Sequence, residues 1–489
     1  MAHSPDAVAG CRLLLLGLSI IVASCARRDP PANTPLYDLV ISNGRAMNPA
    51  SGLDSTRNVG ISDGVIQAVS AQALRGRDTI DARGMVVAPG FIDLHQHAQD
   101  TAAYHVEVLD GTTTALELEG GTVDIDAWYD ARAGKSIINH GVSIGHDGVR
   151  MRVMHDPGTD TPLGAAKSRA MTPAELQEMA SVFDHGFRRG AVAAGMIIEL
   201  TPAATPWEIL EVYRVAAKYG AAVHVHMRAL QEPQYFLETE EVIAATAATG
   251  AASHIVHIQS SEGEDTPRAL ELVRGARARG LDITAEVYPY TGSMSKIEGA
   301  DNDDWKTWPD SKFQRFEWAL TGEKLTRATF GRYRAIGGFI VDYNNPESVV
   351  TAGVADSLTM IASDGILHAG MGHPRVAGTF ARVLGHYARD VGALTLMDAL
   401  RKMTIEPARR MEHRVPAMAR RGRLEQGASA DIVVFDAATV IDGATYRQPT
   451  LPPTGIRDVI VNGVPVVRAG VLRTGVFPGQ PVRGAVLQP

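Results

Sequence analysis

Seven side chains suited to metal binding or acid–base chemistry stand where apolar strands of this sequence end. His95 and His97, in the stretch FIDLHQH, are two residues apart and therefore share one face of a strand. Imidazole and carboxylate groups suit zinc or a similar divalent ion, and a remaining carboxylate can take a proton from water activated by the metal. A His-x-His pair alone is weak evidence for a metal site, so the residues at the other strand ends are needed as well. These are Glu117, Glu119, His226, His257 and Asp364.

Three further histidines are less clearly part of such a site. His224 shares a face with His226 but lies one layer deeper, which favours the core or a position behind the ligands. His254 is three residues before His257 and faces the other way, which favours a structural role. His146 also ends a strand, and the sequence leaves both a pocket and a core position open.

The elements that position these groups alternate along the middle of the chain. Between about residues 90 and 410, short apolar strands such as GTTTALELE, AAVHVHM and LTMIASDG alternate with helical stretches such as PWEILEVYRVAAKYG. Repeated βα units in this number favour an α/β fold with a (βα)8 TIM-like barrel, whose reactive groups lie at the carboxyl ends of the strands. The segment 294–347 breaks the pattern, and both a lid and a surface insertion are consistent with it.

Both ends of the chain are typical of β-hairpins. YDLVISNGRAMNP near the start and IRDVIVNGVPVV near the end alternate apolar and polar residues around Asn-Gly turns. We expect the two ends to meet in one composite β-sandwich domain made of residues 37–88 and 418–489. The barrel then spans residues 89–417.

The first residues indicate export. A polar start is followed by LLLLGLSIIV, which has the length of a signal-peptide apolar region and is too short to span a bilayer. The next residues, Val-Ala-Ser-Cys25, resemble a bacterial lipobox, which predicts a signal peptide over 1–24, a lipid on Cys25 and a tether over 25–36. Ala26 favours anchoring to the outer membrane, on the periplasmic side. An ordinary secretory signal is the alternative.

The composition limits the classes of binding partner that we expect. The formal net charge is −8, with no basic stripe, which argues against nucleic acid and for a small-molecule substrate. Cys11 and Cys25 are the only two cysteines, so neither a disulfide framework nor a cysteine-based metal site is expected after processing. The oligomeric state stays open.

Taken together, these motifs resemble a known family. VVAPGFIDLHQH resembles the amidohydrolase superfamily, and VYPYT with HPRVAGTFARVLG resembles its D-aminoacylase branch, the N-acyl-D-amino-acid deacylases. The resemblance covers the chain after the tether. It implies a barrel with a composite β-sandwich, and one or two divalent ions, most often zinc.

The resemblance also implies roles for individual residues. His95 and His97 would hold one metal position, and His226 and His257 the other. Asp364 would be both a ligand and the general base that later protonates the leaving amine. The remaining implied roles concern the substrate: Arg375 would bind its α-carboxylate and Tyr288 would line the pocket near the scissile carbonyl.

Three departures from the family pattern concern the bridge and the substrate. Relatives usually present a cysteine after the second strand, and we expect Glu119, or alternatively Glu117, to replace it as a bridging ligand. Gln259 stands where relatives tend to carry lysine, and Ile198-Glu199 where they carry tyrosine. In the relatives, that lysine and that tyrosine are associated with holding a substrate carboxylate.

The expected function is metal-dependent hydrolysis of linear amide C–N bonds, with N-acyl-D-amino acids as substrates. A dipeptidase, or a hydrolase of cyclic amides such as hydantoins, with the same metal centre is the alternative. From another class, an inactive binding lipoprotein would keep the fold but is expected to have damaged ligands, whereas all four histidines and Asp364 are present.

Overall fold

The computed structural model describes residues 35–228, 236–368 and 370–487. The predicted signal peptide, Cys25 and nearly all of the tether therefore lie outside the described residues. Within the described ranges, none of the helices has the length and apolar character needed to cross a membrane.

The strands fall into three sheets and one small hairpin. In chain order they are β1 Leu36–Asn48, β2 Leu53–Ser62, β3 Val65–Ser70, β4 Arg75–Asp81, β5 Val86–Pro89, β6 Phe91–Asp93, β7 Thr112–Thr122, β8 Asn139–Gly145, β9 Ala194–Ile197, β10 Val223–His226, β11 Ser253–Ile255, β12 Ile283–Val287, β13 Ser293–Lys296, β14 Phe316–Trp318, β15 Glu323–Lys324, β16 Phe339–Asp342, β17 Thr359–Ile361, β18 Leu367–His368, β19 Met371–Gly372, β20 Ile432–Phe435, β21 Ile456–Val461, β22 Val464–Arg468 and β23 Val471–Leu472.

The helices lie mainly between the barrel strands. They are α1 Thr101–Glu107, α2 Ile125–Arg132, α3 His146–Val153, α4 Ala165–Ser168, α5 Pro173–Arg188, α6 Pro206–Lys218, α7 Leu237–Thr249, α8 Ile258–Glu262, α9 Thr266–Ala278, α10 Asp310–Phe313, α11 Arg327–Ile336, α12 Glu347–Ala355, α13 Arg375–Arg382, α14 Leu396–Met403 and α15 Ile405–Glu412, and a π-helix over Val383–Asp390 continues α13.

Local sequence explains where the helices begin. Thr172 caps α5: its hydroxyl accepts a hydrogen bond from the Glu175 amide, and the Glu175 carboxylate accepts one from the Thr172 amide. Pro173 then occupies the first helical position, where no backbone N–H is needed. α6 begins in a similar way: the Thr205 hydroxyl accepts a hydrogen bond from the Glu208 amide, and Pro206 follows at the first helical position.

Eight parallel strands form the barrel, in the order β6, β7, β8, β9, β10, β11, β12, β17. β8 is buried along its whole length, as expected of a parallel strand covered on both faces. Contacts just beyond β6 and β17 bring the first and last strands together: Gln96 pairs with Gly365, and the Asp364 amide donates to the His95 carbonyl at 2.8 Å. The predicted barrel is therefore confirmed.

Strands from both ends of the chain share one nine-stranded sheet. The first half of β1 pairs with β4 and its second half with β5. In its antiparallel pairing with β2, the register of β1 shifts between Ile41 and Gly44. β5 in turn pairs with β20, so residues that are distant in sequence lie side by side. Their shared core includes Leu39, Val59, Ile432 and Ile460. The predicted fold class, in which both ends of the chain contribute to one β-domain, is confirmed.

Residues 293–342 build a small unit beside the barrel mouth. Its four-stranded sheet has the order β13, β16, β14, β15 and covers a core of its own that contains Trp308, Phe313 and Phe330. Ion pairs join it to the segment between α3 and α5, from Lys296 to Asp160 at 3.1 Å and from Asp303 to Lys167 on α4.

The C-terminal segment covers the opposite end of the barrel. Near the start of β8, the His140 amide donates to the Gln480 carbonyl at 3.2 Å and the Val482 amide donates to the His140 carbonyl at 2.7 Å. Val482 is fully buried in a cluster with Leu116 and Val192. The tail therefore closes the amino-terminal end of the barrel, away from the mouth.

Candidate metal centre

The first and last barrel strands position three of the candidate ligands together. The Asp93 carboxylate, at the end of β6, accepts hydrogen bonds from the His95 amide at 3.1 Å and the Ser363 amide at 3.0 Å. Asp364 then adopts a left-handed backbone conformation, with φ of 52°. A non-glycine residue held in this region is strained, and such strain is typical of functional sites.

Four donor atoms converge at this position. The Nε2 atoms of His95 and His97 are 3.1 Å apart, and Glu119 Oε2 lies 3.3 and 3.1 Å from them. Asp364 Oδ1 lies 3.4 and 3.3 Å from the same nitrogens. Ligand atoms about 2.0–2.1 Å from a tetrahedral ion are separated by roughly 3.3–3.4 Å. The donor set therefore fits one divalent cation.

The other oxygen of Glu119 faces a second pair of histidines. Glu119 Oε1 lies 2.9 Å from His226 Nδ1 and 3.0 Å from His257 Nε2. Of the two glutamates that the sequence left open as the bridge, Glu119 has this arrangement. Its two oxygens are divided between two ligand sets, which is the geometry of a carboxylate that bridges two cations.

Further carboxylates bind the outer nitrogens of three of these histidines. Glu286 Oε1 lies 2.6 Å from His95 Nδ1, Glu117 Oε2 lies 2.8 Å from His97 Nδ1, and Glu199 Oε2 lies 2.5 Å from His226 Nε2. Such partners set the tautomer and the orientation of a metal-binding imidazole. Sequence reasoning missed Glu286, although a carboxylate inside the apolar strand ITAEV was a usable signal.

The electrostatics of the site call for a cation. Burial opposes a charge on His95, yet Glu119, Asp364 and Glu286 together raise its pKa to about 10. Burial likewise opposes a charge on His97, but Glu117, Asp364 and Glu119 raise its pKa well above the usual range. The carboxylates thus hold positive charge among the histidines, and a divalent ion supplies that charge by displacing the protons.

Arg375 and Tyr288 lie behind Asp364. Arg375 Nη2 contacts Asp364 Oδ2 at 2.8 Å, and the guanidinium lies 4.6 Å from the centre of the Tyr288 ring. Burial raises the pKa of Tyr288 to about 12, and its hydroxyl donates to Ser260 and accepts from Asn345. Arg375 is therefore in contact with Asp364, and Tyr288 packs against Arg375.

The less certain histidines occupy structural positions. His146 Nε2 contacts Glu208 at 2.8 Å in the core, away from the centre. His254 Nε2 contacts Glu286 at 2.8 Å and so shares that carboxylate with His95. His224 is fully buried, and neither of its ring nitrogens has a partner among the residues described.

The Gln259 side chain is not positioned to bind substrate as a lysine at this place would. It is fully buried, and its Nε2 donates to the Tyr288 carbonyl at 3.2 Å. A cavity of about 610 Å³ opens above the centre. Its wall includes the following residues from the barrel and the 293–342 unit: Glu199, His226, His257, Ser260, Met294, Asp301, Trp308, Asn344 and Asp364.

Comparison with known proteins agrees with this geometry. Residues 86–466 match the model of the amidohydrolase family. The chain belongs to the amidohydrolase family. This assignment confirms the family predicted from the motifs at the strand ends.

Within this amidohydrolase family, the chain is similar to deacylases of D-amino acids. It is 31% identical to the N-acyl-D-glutamate deacylase of Alcaligenes xylosoxydans xylosoxydans, over 88% of this chain and 93% of the relative. It is 30% identical to the D-aminoacylase of the same organism, over 88% and 94%. A crystal structure of the N-acyl-D-glutamate deacylase of Bordetella bronchiseptica, complexed with zinc and a phosphonate inhibitor, superposes with a TM-score of 0.81 at 26% identity, covering 92% of this chain and all of that one.

Proposed function

We propose that this amidohydrolase is a zinc-dependent deacylase of N-acyl-D-amino acids. The observation that carries the proposal is the position of Asp364, whose Oδ1 lies 3.3 Å from His97 Nε2 while its Oδ2 is 2.8 Å from Arg375. One carboxylate thus joins the metal ligands to a guanidinium that can hold a substrate carboxylate. The similarity to the deacylases supports this substrate class.

His95, His97 and Asp364 would hold one ion, His226 and His257 the other, and Glu119 would bridge them. When bound, the metal supplies a Lewis acid for the amide carbonyl and lowers the pKa of water in the site.

The protein's own groups then move the proton. Asp364 accepts a proton from the attacking water as the oxygen bonds to the carbonyl carbon. It returns that proton to the nitrogen as the C–N bond breaks, so that the products are a carboxylic acid and a free D-amino acid. Arg375 holds the Asp364 carboxylate in position and has Nε and Nη1 available for the substrate's α-carboxylate.

Substrate kinetics with metal analysis test the proposal. The purified protein should contain zinc and should hydrolyse N-acetyl-D-amino acids faster than their L-isomers, L-dipeptides and hydantoins. Fast cleavage of L-dipeptides or hydantoins, with no turnover of any N-acyl-D-amino acid, would assign one of the alternative activities. A protein that binds these compounds without hydrolysing any of them would be the inactive lipoprotein.

We further propose that the protein is exported and anchored by a lipid on Cys25, on the periplasmic side of the outer membrane. The lipobox-like Val-Ala-Ser-Cys sequence supports this location. Labelling with a fatty acid should mark the wild-type protein and leave the Cys25→Ser variant unlabelled. Equal release of both proteins in soluble form would contradict lipid anchoring.

A further inference from the structure

The cavity has an acidic region beside the second pair of histidines. Glu199 Oε2 contacts His226, and Asp301 lies on the 3-10 helix Ala300–Asn302, which packs against Ile198–Leu200. Both Glu199 and Asp301 are part of the cavity wall. Two carboxylates from different parts of the fold therefore face the same end of the cavity.

The cations on the cavity wall are already occupied elsewhere. Arg228 pairs with Glu241 at 2.7 Å, and Arg315 pairs with Asp342 at 2.6 Å. Lys312 lies 3.6 Å from the centre of the Trp308 ring. Asp301 forms no ion pair with any residue in the described ranges, whereas Glu199 is paired with the His226 imidazole.

Unpartnered donors beside the metal centre indicate a ligand with acceptor groups. Arg375 is only 1% exposed, yet its Nε and Nη1 have no hydrogen-bond partner among the described residues. His257, 5% exposed and part of the cavity wall, likewise has an unpartnered Nδ1. Leaving such buried donors unpaired is costly, which points to a bound group that satisfies them.

The two ends are connected through the metal centre. Arg375 contacts Asp364, Asp364 contacts His97, and Glu119 joins His97 to His226, whose far nitrogen contacts Glu199. A ligand that reaches from Arg375 across the centre to Glu199 must offer a negative group at one end and a positive group at the other.

Building on the proposed deacylase function, we propose that Glu199 and Asp301 form a subsite for a cationic group of the substrate. The preferred substrates then carry an ammonium or guanidinium group in addition to the α-carboxylate. The cation belongs either to the acyl half, as the free amino group of an aminoacyl-D-amino acid, or to the side chain of the D-amino acid. The alternative is a preference for an acidic side chain, bound through Lys312 of the same cavity wall.

Matched substrates test this inference. N-acetyl-D-lysine is compared with N-acetyl-D-norleucine, and glycyl-D-leucine with N-propionyl-D-leucine, so that each pair differs mainly in one positive charge. We expect kcat/KM to favour the charged member by about tenfold or more in one pair, and that pair identifies the half that carries the cation.

The outcomes separate the inference from the function on which it rests. Turnover of the neutral compounds without preference for either charged member, or with preference for N-acetyl-D-glutamate, overturns the subsite and leaves the deacylase function standing. If the metal-loaded enzyme hydrolyses none of the N-acyl compounds, the deacylase function fails and the inference fails with it.

Variants test whether Glu199 and Asp301 cause the preference for positively charged substrates. Asp301→Asn should lower the ratio of charged to neutral kcat/KM about tenfold, and Asp301→Lys should shift preference toward N-acetyl-D-glutamate. Asp304→Asn is the matched control, because it removes a charge from the same wall at a residue that hydrogen bonds to Trp308. Equal changes of the ratio in Asp301→Asn and Asp304→Asn would overturn the assignment. Metal content, measured for every variant, shows that the centre is intact.

Discussion

Glu119 lies 3.0 Å from His257 through Oε1, while its Oε2 faces the histidine pair on the other side of the centre. This division means that a single side chain belongs to both candidate metal positions. It also separates Glu119 from Glu117, two residues earlier on the same strand. The Glu117 carboxylate contacts the outer nitrogen of His97 and accepts hydrogen bonds from two amides near the end of β7.

We therefore predict that substitutions of Glu119 and Glu117 have different effects on metal binding. Glu119→Ala should lower the metal-to-protein ratio and reduce kcat by a factor of about 100 or more, because both positions lose a ligand. Glu117→Gln should leave the number of bound ions unchanged and weaken their affinity about 10- to 100-fold. Metal analysis and a chelator titration measure both. Full metal content and activity in Glu119→Ala would refute the bridge.

Glu286 should be the most important of the carboxylates behind the histidines. It is buried and contacts both His95 Nδ1 at 2.6 Å and His254 Nε2 at 2.8 Å, and the charge of His95 helps lower its pKa to about 2 against the effect of burial. We expect Glu286→Gln to weaken metal binding about 10- to 100-fold. Glu298→Gln, a half-buried glutamate of the 293–342 unit, is the control and should bind metal as the wild type does. Equal affinities in the two variants would contradict this role.

The metal should stabilise the protein more as the pH rises. In the metal-free protein, the pKa of His95 is raised from 6.5 to about 10, so its contribution to stability is present below about pH 6.5 and is lost as the pH rises toward 10. The same protons compete with the metal at low pH. The difference in Tm between metal-loaded and chelator-treated protein should therefore increase from pH 6.5 to 9.5. A difference that shrinks over this range would contradict the proposed exchange of protons for metal.

The C-terminal tail should contribute strongly to stability although it lies far from the mouth. Val482 is fully buried at the closed end of the barrel, and its carbonyl accepts a hydrogen bond from the Tyr129 hydroxyl at 2.7 Å. Val482→Asp should lower the free energy of unfolding by about 3 kcal/mol or more, because it buries a carboxylate without a partner. Val486→Asp, at a position that is 47% exposed, should change it by no more than about 0.5 kcal/mol. Chemical denaturation compares the two.

The repeating patterns of this sequence predict its architecture well. The alternation of apolar strands with helices indicates the barrel, and Asn-Gly turns at both ends indicate the β-domain, because these signals are local. The ligand set follows from one rule, that polar side chains at the carboxyl ends of parallel strands meet. His95 and Asp364 are far apart in sequence, yet that rule brings them together.

Other features depend on tertiary distances that a linear pattern does not contain. The division of the two Glu119 oxygens requires the barrel to close. The partners of Glu286 and Glu199 become visible only when neighbouring strands are in register. The end of a strand is also poorly marked by sequence: β7 extends to Thr122, beyond the predicted GTTTALELE. Gln259 packs against the Tyr288 backbone, which its position in the motif does not reveal.

Glu119 also determines how the centre responds to oxidants. All candidate ligand atoms of the metal centre are nitrogen or oxygen. The two cysteines of the chain, Cys11 and Cys25, precede the described residues. A bridging thiolate would be open to oxidation to sulfenic acid or to alkylation, whereas a carboxylate has no such chemistry. This enzyme should therefore keep its activity under peroxide, iodoacetamide or organomercurials that would inactivate a cysteine-bridged centre.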